Sequence, residues 1–334
     1  MGRILSGARV NKKDEFYTRF CDIEDEIMGH MDYIEQFKGM RILCNCNDRR
    51  DSNFYLFFKK YFDILGLQKL IAVSYGKGNA YKIEFDGEWA FEEQLEGDGD
   101  FRSEECVALL NEVDIVVTNP PFSLFKDYVN LLVQHTKKFL VIGTVNAISY
   151  TSIFEYIKEG RVWSGYCFNK TLLFEVGADY NYDRAATAKI NDGKYYGKVP
   201  QIAWFTNLDI EKKFEPLVLT KYYKDNEEEY SQYINYNAIN CNSVKDIPLD
   251  YKGKIGVPIS YLGSFCPEQF ELVGLGYGEL AKQIGMGIIG KEFLDTYYKQ
   301  GNKGVYSANN VLCAYYDKAG NAKIPYARLI IKRR

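Results

Sequence analysis

One stretch of the chain, Val113–Phe122, combines residue types that could do chemistry at a fixed place in a fold. A short run of β-branched residues stops there at an amide, two prolines and an aromatic ring. The run favours a strand buried on both faces that ends at Thr118. Pro120 and Pro121 fix φ and cannot donate to a sheet, so they hold the backbone beyond the strand in one rigid shape. Ligands usually bind at this edge of an open α/β sheet.

One chemistry that suits such a turn is methylation of an exocyclic amino group. The lone pair of adenine's 6-amino nitrogen is delocalised into the ring, which makes it a poor nucleophile. Two acceptors, the Asn119 side-chain oxygen and the Pro120 carbonyl, would favour tetrahedral geometry and stabilise the developing positive charge. Phe122 could stack on the base. The alternative is a proline-terminated strand with a helix-capping Asn, and no chemistry at the turn. The rest of the chain must decide between the two interpretations.

Length and composition bound the class of protein. The 334 residues can form one large domain with an appendage or two domains. No apolar run approaches the ~20 residues needed to span a bilayer, and the N-terminus lacks a signal-peptide core. We therefore expect a cytoplasmic protein that does not associate with a membrane. The eight cysteines are scattered and only two histidines occur, which predicts reduced thiols and no metal site.

The net charge of −3 hides an uneven distribution. Residues 84–114 carry twelve Asp and Glu against the single Arg102, a balance of −11 that leaves +8 for the remainder. A mildly basic remainder is compatible with phosphate contacts but does not establish them.

The elements expected to position the turn alternate between strands and helices. The pattern predicts a mostly parallel, doubly wound sheet with added antiparallel strands, an α/β fold. The predicted strands are Met40–Cys44, Leu70–Ser74, Val113–Thr118, Phe139–Val145, Val162–Phe168, Thr171–Val176 and Ile202–Asn207. The predicted helices lie within 11–36 and over Asn53–Leu65, Ser103–Leu110, Phe125–Lys137 and Thr151–Lys158.

The amino-acid composition changes after Leu208. Residues 209–250 are charged and rich in Tyr and Asn, and short apolar runs broken by glycine follow. We therefore predict domains over 1–215 and 216–334, the second a smaller mixed α+β domain. Within it Gly285–Gly290 satisfies G-x-G-x-x-G, but the preceding Glu279–Ile284 reads as helix rather than strand, so mobile-loop glycines are the better interpretation.

With these pieces in place, the sequence resembles the adenine-specific DNA methyltransferases of the EcoRI methylase type. The matching stretches follow one another along nearly the whole chain, and several are long and low in degeneracy. They are Asn11–Thr18, Asn45–Phe62, Gly97–Glu105, Asp114–Phe125, Phe139–Tyr150, Ala203–Leu208 and Tyr326–Ile331.

The resemblance implies transfer of a methyl group from S-adenosyl-L-methionine to the 6-amino group of adenine in double-stranded DNA, by base flipping and direct transfer. It implies a Rossmann-like methyltransferase sheet in 1–215, which binds the cofactor, and a target-recognition region in 216–334. This order is similar to the gamma arrangement of amino-methyltransferases. A restriction-modification or orphan methylase fits this description, and a cognate restriction endonuclease is compatible with it as a partner.

The resemblance also assigns roles to individual residues. Asn119, Pro120 and Phe122 form the catalytic turn. The cofactor's methionine end lies against Phe16, Tyr17 and Thr18, its polar groups against Asp48, Asp51 and Ser52, and its adenine against Asp100 and Phe101. As alternatives, Asp51 and Ser52 could merely cap a helix, and Phe16 or Phe101 could be core. No acid ends the second strand at Ser74-Tyr75, so the ribose contacts stay unassigned.

Other functions remain to be weighed. Cytosine-5 transfer needs a cysteine nucleophile, usually in a Pro-Cys pair, and the sequence has none. Asn-Pro-Pro-Phe turns also serve enzymes that methylate RNA adenines or a protein glutamine amide, although the long C-terminal region favours a large duplex target. A catalytically inactive DNA-binding module is the remaining alternative, and the intact turn disfavours it.

Overall fold

A computed structural model of the chain describes residues 16–47, 52–76, 78–176, 187–189 and 193–334, with the backbone alone described at 46, 47 and 187–189. The strands of this part are β1 (Tyr17–Thr18), β2 (Arg41–Asn47), β3 (Lys69–Ser74), β4 (Tyr81–Phe85), β5 (Ala90–Gln94), β6 (Ile115–Thr118), β7 (Lys138–Thr144), β8 (Trp163–Ser164), β9 (Lys170–Val176), β10 (Thr187–Lys189), β11 (Tyr195–Thr206), β12 (Ile239–Asn240), β13 (Lys254–Pro258), β14 (Phe270–Leu275), β15 (Tyr315–Tyr316), β16 (Ala322–Lys323) and β17 (Arg328–Arg333). The α-helices are α1 (Phe20–Ile27), α2 (Met31–Phe37), α3 (Asn53–Lys60), α4 (Phe62–Leu65), α5 (Glu104–Glu112), α6 (Phe125–Gln134), α7 (Thr151–Lys158), α8 (Gly278–Gln283) and α9 (Lys291–Lys299).

A large mixed sheet forms the centre of the first part of the chain. Among the described residues it has eleven strands in the order β1-β9-β11-β7-β6-β2-β3-β4-β5, with β8 and β10 paired to β11. Strands β7, β6, β2 and β3 are parallel, and the strands on either side of them are antiparallel. From β2 the chain winds to β3 on one side, and later places β6 and β7 on the other. The predicted α/β, Rossmann-like doubly wound fold class is confirmed.

The central strands form where the sequence is apolar and β-branched. Every residue of β6 is buried, as expected of a strand covered on both faces, and it ends at Thr118 as predicted. Helix α3 buries Phe54, Phe57 and Phe58, whose spacing places them on one face, in the same core as the central strands. These contacts fix the carboxyl ends of the strands relative to one another.

An ion pair joins the opposite, amino-terminal ends of β2 and β6. Arg41 donates from Nε and Nη2 to the two carboxylate oxygens of Asp114, over 3.0 and 2.9 Å. The backbones are also joined, since Asp114 N donates to Arg41 O over 2.9 Å and Arg41 N donates to Asp114 Oδ2 over 2.9 Å. The register between β2 and β6, the strand that leads into the Asn119 turn, is therefore fixed at this end.

Some predicted elements were wrong in detail. The helix expected within 11–36 is two helices, α1 and α2, because the backbone turns extended at His30, which is the N-cap of α2. Gly29 lies at this break, and a Cβ there would lie 2.6 Å from Asp25 O. The sequence pattern predicts no strand in the acid-rich segment after β3, yet this segment forms the antiparallel hairpin β4–β5. The strand expected over Val162–Phe168 is only the short β8, and β11 begins seven residues before the predicted Ile202.

The internal contacts of the chain define two compact units. The first comprises the described residues of Met1–Ala147 together with Val162–Ile210, and the second comprises Ile148–Arg161 and Glu211–Arg334. The second unit contains the four-stranded sheet β12-β13-β17-β14 and the hairpin β15–β16. Helix α7 belongs to it and packs on β14 with Ile153, Phe154 and Ile157 buried. None of the described helices is long and apolar enough to cross a membrane.

Candidate active site

The site is built where two neighbouring parallel strands end. Strands β2 and β6 lie side by side in the sheet. The strand that follows β2 in the chain, β3, lies beyond β2, and the strand that follows β6, β7, lies beyond β6, in the opposite direction. The strand order therefore reverses here, which makes this edge a topological switch point. Two hydrogen bonds connect the ends of these strands. Thr118 Oγ1 donates to the carbonyl oxygen of Asn45, and Tyr128 OH donates to Asn45 Oδ1. All three residues are buried, so the strand ends are held rigidly.

The Asn119 side chain has a fixed orientation. Its Nδ2 donates to the carbonyl oxygen of Phe16 over 2.6 Å. Its Oδ1 is buried, and no described residue donates to it. Buried amide oxygens are normally paired, and leaving one unpaired costs free energy, so at this strand end Oδ1 is available as an acceptor for a ligand.

The helix-capping alternative for Asn119 is wrong. Its amide is engaged by Phe16 O, and helix α6 begins only at Phe125, with Leu124 at its N-cap. Between them, Pro121 O accepts from Leu124 N over 2.9 Å and starts a 3₁₀ turn over Phe122–Leu124. Pro120 is buried, and its carbonyl oxygen accepts no backbone hydrogen bond among the residues described. The turn thus presents two oxygens without a described donor.

Three phenylalanine rings surround this turn. Phe16 and Phe122 are stacked, with centroids 5.5 Å apart and an interplanar angle of 24°. Phe174 meets both rings edge-on, at 5.7 and 6.3 Å. Phe16 covers one face of Phe122, which is only 9% exposed. Phe16 is therefore a core residue whose ring also packs against the Asn119 turn, while its contact with the methionine end of the cofactor stays a prediction.

Strand β1 carries the other two residues predicted beside Phe16. Tyr17 pairs with Glu175 and Thr18 with Phe174 at the edge of the sheet. Asn53 Nδ2, in the first turn of α3, donates to the carbonyl oxygen of Thr18 over 2.8 Å. Thr18 Oγ1 is buried and has no hydrogen-bond partner in the part of the chain described. Thr18 Oγ1 is thus a second buried polar atom of the predicted site to which no described residue hydrogen-bonds.

The loop after β2 is described only in part. Asp48 and Asp51 lie outside the described residues. Ser52 occupies the N-cap position of α3, where its carbonyl oxygen accepts from Leu56 N over 2.9 Å, but its side chain makes no capping hydrogen bond. The capping alternative for Ser52 is therefore wrong as far as the side chain is concerned.

Asp100 is held by its neighbour two residues along the chain. Arg102 donates from Nε to Asp100 Oδ1 over 2.9 Å and from Nη2 to Oδ2 over 2.6 Å. These hydrogen bonds hold the pKa of the Asp100 carboxyl below its ordinary value, so the group is ionised at neutral pH. The Arg102 guanidinium occupies both carboxylate oxygens in this structure.

A glycine lets the Asp100 loop approach strand β3. Gly99 has φ +76°, and a Cβ there would lie 2.0 Å from Ser74 O, so a side chain cannot be accommodated. The following Phe101 is buried and meets Tyr128 edge-on at 4.8 Å. Because Tyr128 also donates to Asn45, Phe101 connects to the locked ends of β2 and β6.

The sequence analysis assigned no role in the site to three residues of this framework: Asn45, Asn53 and Tyr128. The signal for Asn45 was present, since a polar side chain directly follows the apolar run Ile42–Cys44 at a strand end. Asn53 and Tyr128 sit on helices with nothing local to distinguish them. Of the predicted residues, the structure brings together Phe16, Asn119 and Phe122 by direct contacts. Thr18 joins them through its pairing with Phe174, and Phe101 is connected to the ends of β2 and β6 through Tyr128.

Comparisons with known proteins agree with one another. The family model described as adenine-specific methyltransferase EcoRI matches residues 4–334. The chain is 44% identical over 269 residues to the Type II methyltransferase M.MpnI of Mycoplasma pneumoniae, covering 80% of this chain and 83% of that protein. It is 43% identical over 270 residues to the Type II methyltransferase M.MgeORF184P of Mycoplasma genitalium, covering 80% and 84%. It is 40% identical over 306 residues to the Type II methyltransferase M.EcoRI of Escherichia coli, covering 85% and 92%. No solved structure matches significantly.

Proposed function

Because the chain belongs to the family of the adenine-specific methyltransferase EcoRI, and is a site-specific DNA methyltransferase, we propose that it methylates the 6-amino group of adenine in double-stranded DNA with S-adenosyl-L-methionine as donor. The observation that carries this proposal is the buried Oδ1 of Asn119, an acceptor without a described partner at the switch point of the sheet. An amino group that must be activated is the ligand that such an acceptor suits.

The turn acts on the target through hydrogen bonding. Asn119 Oδ1 and the Pro120 carbonyl oxygen accept the two hydrogens of the amino group, which favours a tetrahedral nitrogen with an available lone pair. The same two oxygens stabilise the positive charge that develops on that nitrogen. Phe16 O keeps the Asn119 side chain in place, so no reorganisation is needed during the reaction.

The target base must leave the duplex to reach this turn. Extrusion costs a few kcal/mol, which stacking and hydrogen bonds to the base edge offset. Phe122 supplies the stacking surface. Since Phe16 covers one face of the Phe122 ring, either the opposite face serves the base or the Phe16 ring shifts when DNA binds.

The cofactor, when bound, supplies an electrophilic methyl group. The residues that would hold it are Phe16, Tyr17 and Thr18, then Asp48, Asp51 and Ser52, and finally Asp100 and Phe101. Two observations fit a bound polar molecule: Thr18 Oγ1 is buried without a described partner, and the Asp100 carboxyl is kept ionised. These residues would also position the cofactor relative to the target base and exclude water from the site.

The two units take different roles in this proposal. The first binds the cofactor and carries the catalytic turn, and the second recognises the DNA target, which corresponds to the gamma order. The relatives are named Type II methyltransferases, which supports a place in restriction-modification and a cognate endonuclease as partner.

Replacing Asn119 tests the proposal directly. Asn119→Ala removes the acceptor, and turnover should fall by about 10²- to 10³-fold, as when a single group that stabilises developing charge is lost. Purified protein is incubated with S-adenosylmethionine and unmethylated duplex DNA, and 6-methyladenine is measured by mass spectrometry after digestion to nucleosides. Cofactor affinity, measured by calorimetry, should change much less.

The exposed Asn111 on α5 provides a matched control, because Asn111→Ala removes the same group away from the turn. Near-normal turnover of Asn119→Ala would contradict the assigned role. If the unsubstituted protein binds the cofactor but yields no 6-methyladenine on diverse duplexes, the substrate is an RNA adenine or a protein amide instead. If it binds no cofactor, it is an inactive DNA-binding module.

A further inference from the structure

A buried polar network runs through the second unit to a surface cleft. It begins at Arg328 on β17, which is 9% exposed and donates from Nε to Asn240 Oδ1 over 3.3 Å. Tyr233 OH donates to the same Asn240 oxygen over 2.9 Å. Asn240 Nδ2 then donates to Asn242 Oδ1 over 3.0 Å, and Tyr315 OH donates to that oxygen over 3.2 Å. Asn242 is exposed at the end of this network.

The network fixes which end of the Asn242 amide faces outward. A guanidinium has donors and no acceptor, so the Asn240 atom that it contacts must be oxygen. The other atom of that amide is therefore Nδ2, a donor, and the Asn242 atom that receives it must again be oxygen. Two donors already occupy Asn242 Oδ1. The Nδ2 group of Asn242 is consequently the free end, and no described residue accepts from it.

The packing around the network is specific to it. Gly256 on β13 leaves room for Tyr233, since a Cβ there would lie 2.0 Å from the tyrosine oxygen. Tyr233, Asn240, Tyr315 and Arg328 are all buried. Buried polar groups that are fully paired hold one arrangement, because breaking any bond leaves an unpaired group in a low-dielectric interior.

Asn242 lines a cleft of about 820 Å³ in the second unit. Both lysines on its lining are paired with acids: Lys221 with Asp246 over 2.6 Å, and Lys318 with Glu229. The lining also includes Asp317. An asparagine amide can donate to a phosphate or to a base edge. The three acids on this lining outnumber the two lysines, which disfavours a phosphate and favours an uncharged acceptor.

We propose that Asn242 is a specificity-determining residue that donates to an acceptor on the major-groove edge of one base of the DNA target. This rests on the proposed role of the second unit in target recognition. Adenine, guanine and thymine each present an acceptor on that edge, whereas cytosine presents only its amino donor. Asn242 cannot make the two-bond contact with adenine, since its oxygen is already occupied. The contacted position therefore excludes cytosine, and Asn240 and Arg328 are positioning residues.

The isosteric variant Asn242→Asp reverses the outward group. One carboxylate oxygen still accepts from Asn240 and Tyr315, while the other presents an acceptor where Nδ2 presented a donor. The methylated sequences are mapped on random duplex libraries for both proteins. The variant should accept cytosine at one position of the site that the unsubstituted protein rejects, and kcat/KM on the original site should fall roughly tenfold to a hundredfold. Asn242→Ala should relax that same position without a new preference.

Asn226→Asp is the matched control, because it adds the same charge to the same cleft. Its Nδ2 is occupied by the carbonyl oxygens of Tyr222 and Lys224, so base preference should stay unchanged. An unaltered site and rate in Asn242→Asp and Asn242→Ala overturns the proposal, as does a loss that is equal on all sequences, which marks a backbone contact. If the unsubstituted protein methylates no duplex, the proposed function has failed instead.

Discussion

In our two proposals asparagine serves opposite purposes, and the neighbours of each asparagine decide which. The amide carries a donor and an acceptor on one short side chain. At Asn119 the donor is occupied by Phe16 O, which leaves the acceptor for an amino group. At Asn242 the acceptor is occupied twice, which leaves the donor for a base. The residue type alone therefore predicts neither role.

Asp100 allows a test of cofactor binding at the scale of one residue. Arg102 keeps the pKa of its carboxyl below the ordinary value, so the group stays an acceptor throughout the neutral range. Asp100→Asn should raise the Kd for S-adenosylmethionine roughly tenfold to a hundredfold, the effect of losing one charge-assisted hydrogen bond. Calorimetry at pH 7 measures it, and kcat at saturating cofactor should change little.

Glu104→Gln serves as control, since it removes an exposed charge from the adjacent helix α5. An unchanged Kd in Asp100→Asn would show that Asp100 serves only as the partner of Arg102. Because the lowered pKa lies under 3.8, cofactor affinity should not vary through this group between about pH 6 and 8.

At the scale of elements, the ion pair of Arg41 and Asp114 predicts a pH-dependent contribution to stability. Hydrogen bonds from Arg41 lower the pKa of Asp114 in the folded protein. The carboxylate therefore stabilises the fold above its unfolded-state pKa of about 3.9, and this contribution is lost as pH falls through the lowered folded value. Asp114→Asn should be less stable than the unsubstituted protein at pH 7, and the difference should shrink below about pH 4.

Urea unfolding at several pH values measures this difference. The pair is partly exposed, with side-chain exposures of 41% and 33%, so a modest shift of the midpoint is expected. Asp127→Asn is the control, because Asp127 lies 3.7 Å from Lys126 on the surface of α6. A midpoint difference that persists unchanged at pH 3.5 would mean that packing, rather than charge, accounts for the effect.

The same elements show how far the sequence predicts the fold. The strands β2, β3, β6 and β7 were predicted because each is a continuous apolar run, and burial on both faces produces that signal. The hairpin β4–β5 was missed because every residue of β5 is exposed, so no alternation marks it. Pairing of β4 with β3, at positions such as Lys82 opposite Val73, holds the hairpin in the sheet, and backbone hydrogen bonds of this kind do not depend on side-chain type, so they leave no pattern in the sequence.

The active site was predictable to a similar extent. Asn119, Pro120 and Phe122 were found because the turn interrupts an apolar strand with rigid residues. The hydrogen bond between Asn119 and Phe16 joins residues 103 positions apart, and no sequence pattern expresses it. The sequence therefore predicts which residues are candidates for contact with the substrate, while the orientation of their polar atoms comes only from the fold.

At the scale of the whole molecule, helix α7 was predicted with the correct ends but belongs to the second unit. Its apolar face, Ile153, Phe154 and Ile157, shows that it is buried but not against which surface. Its neighbours in sequence, β7 and β8, are strands of the first unit. The chain thus leaves one unit, adds a helix to the other and returns, so a boundary drawn at a single residue describes it incompletely.

This arrangement predicts how a core substitution in α7 is felt across the molecule. Phe154 is 2% exposed, and Phe154→Ala should destabilise the unit to which α7 belongs by about 3–5 kcal/mol, the usual effect of emptying a buried phenylalanine site. Native-state hydrogen exchange should quicken in β14 and β17, while β6 and β7 keep their protection, because cooperative units exchange together.

Glu155→Ala on the exposed face of α7 should leave exchange in both sets of strands unchanged. Faster exchange in β7 with β14 unaffected would assign α7 to the first unit. Cofactor affinity, which the first unit supplies in our proposal, should survive the Phe154 substitution while binding to DNA weakens.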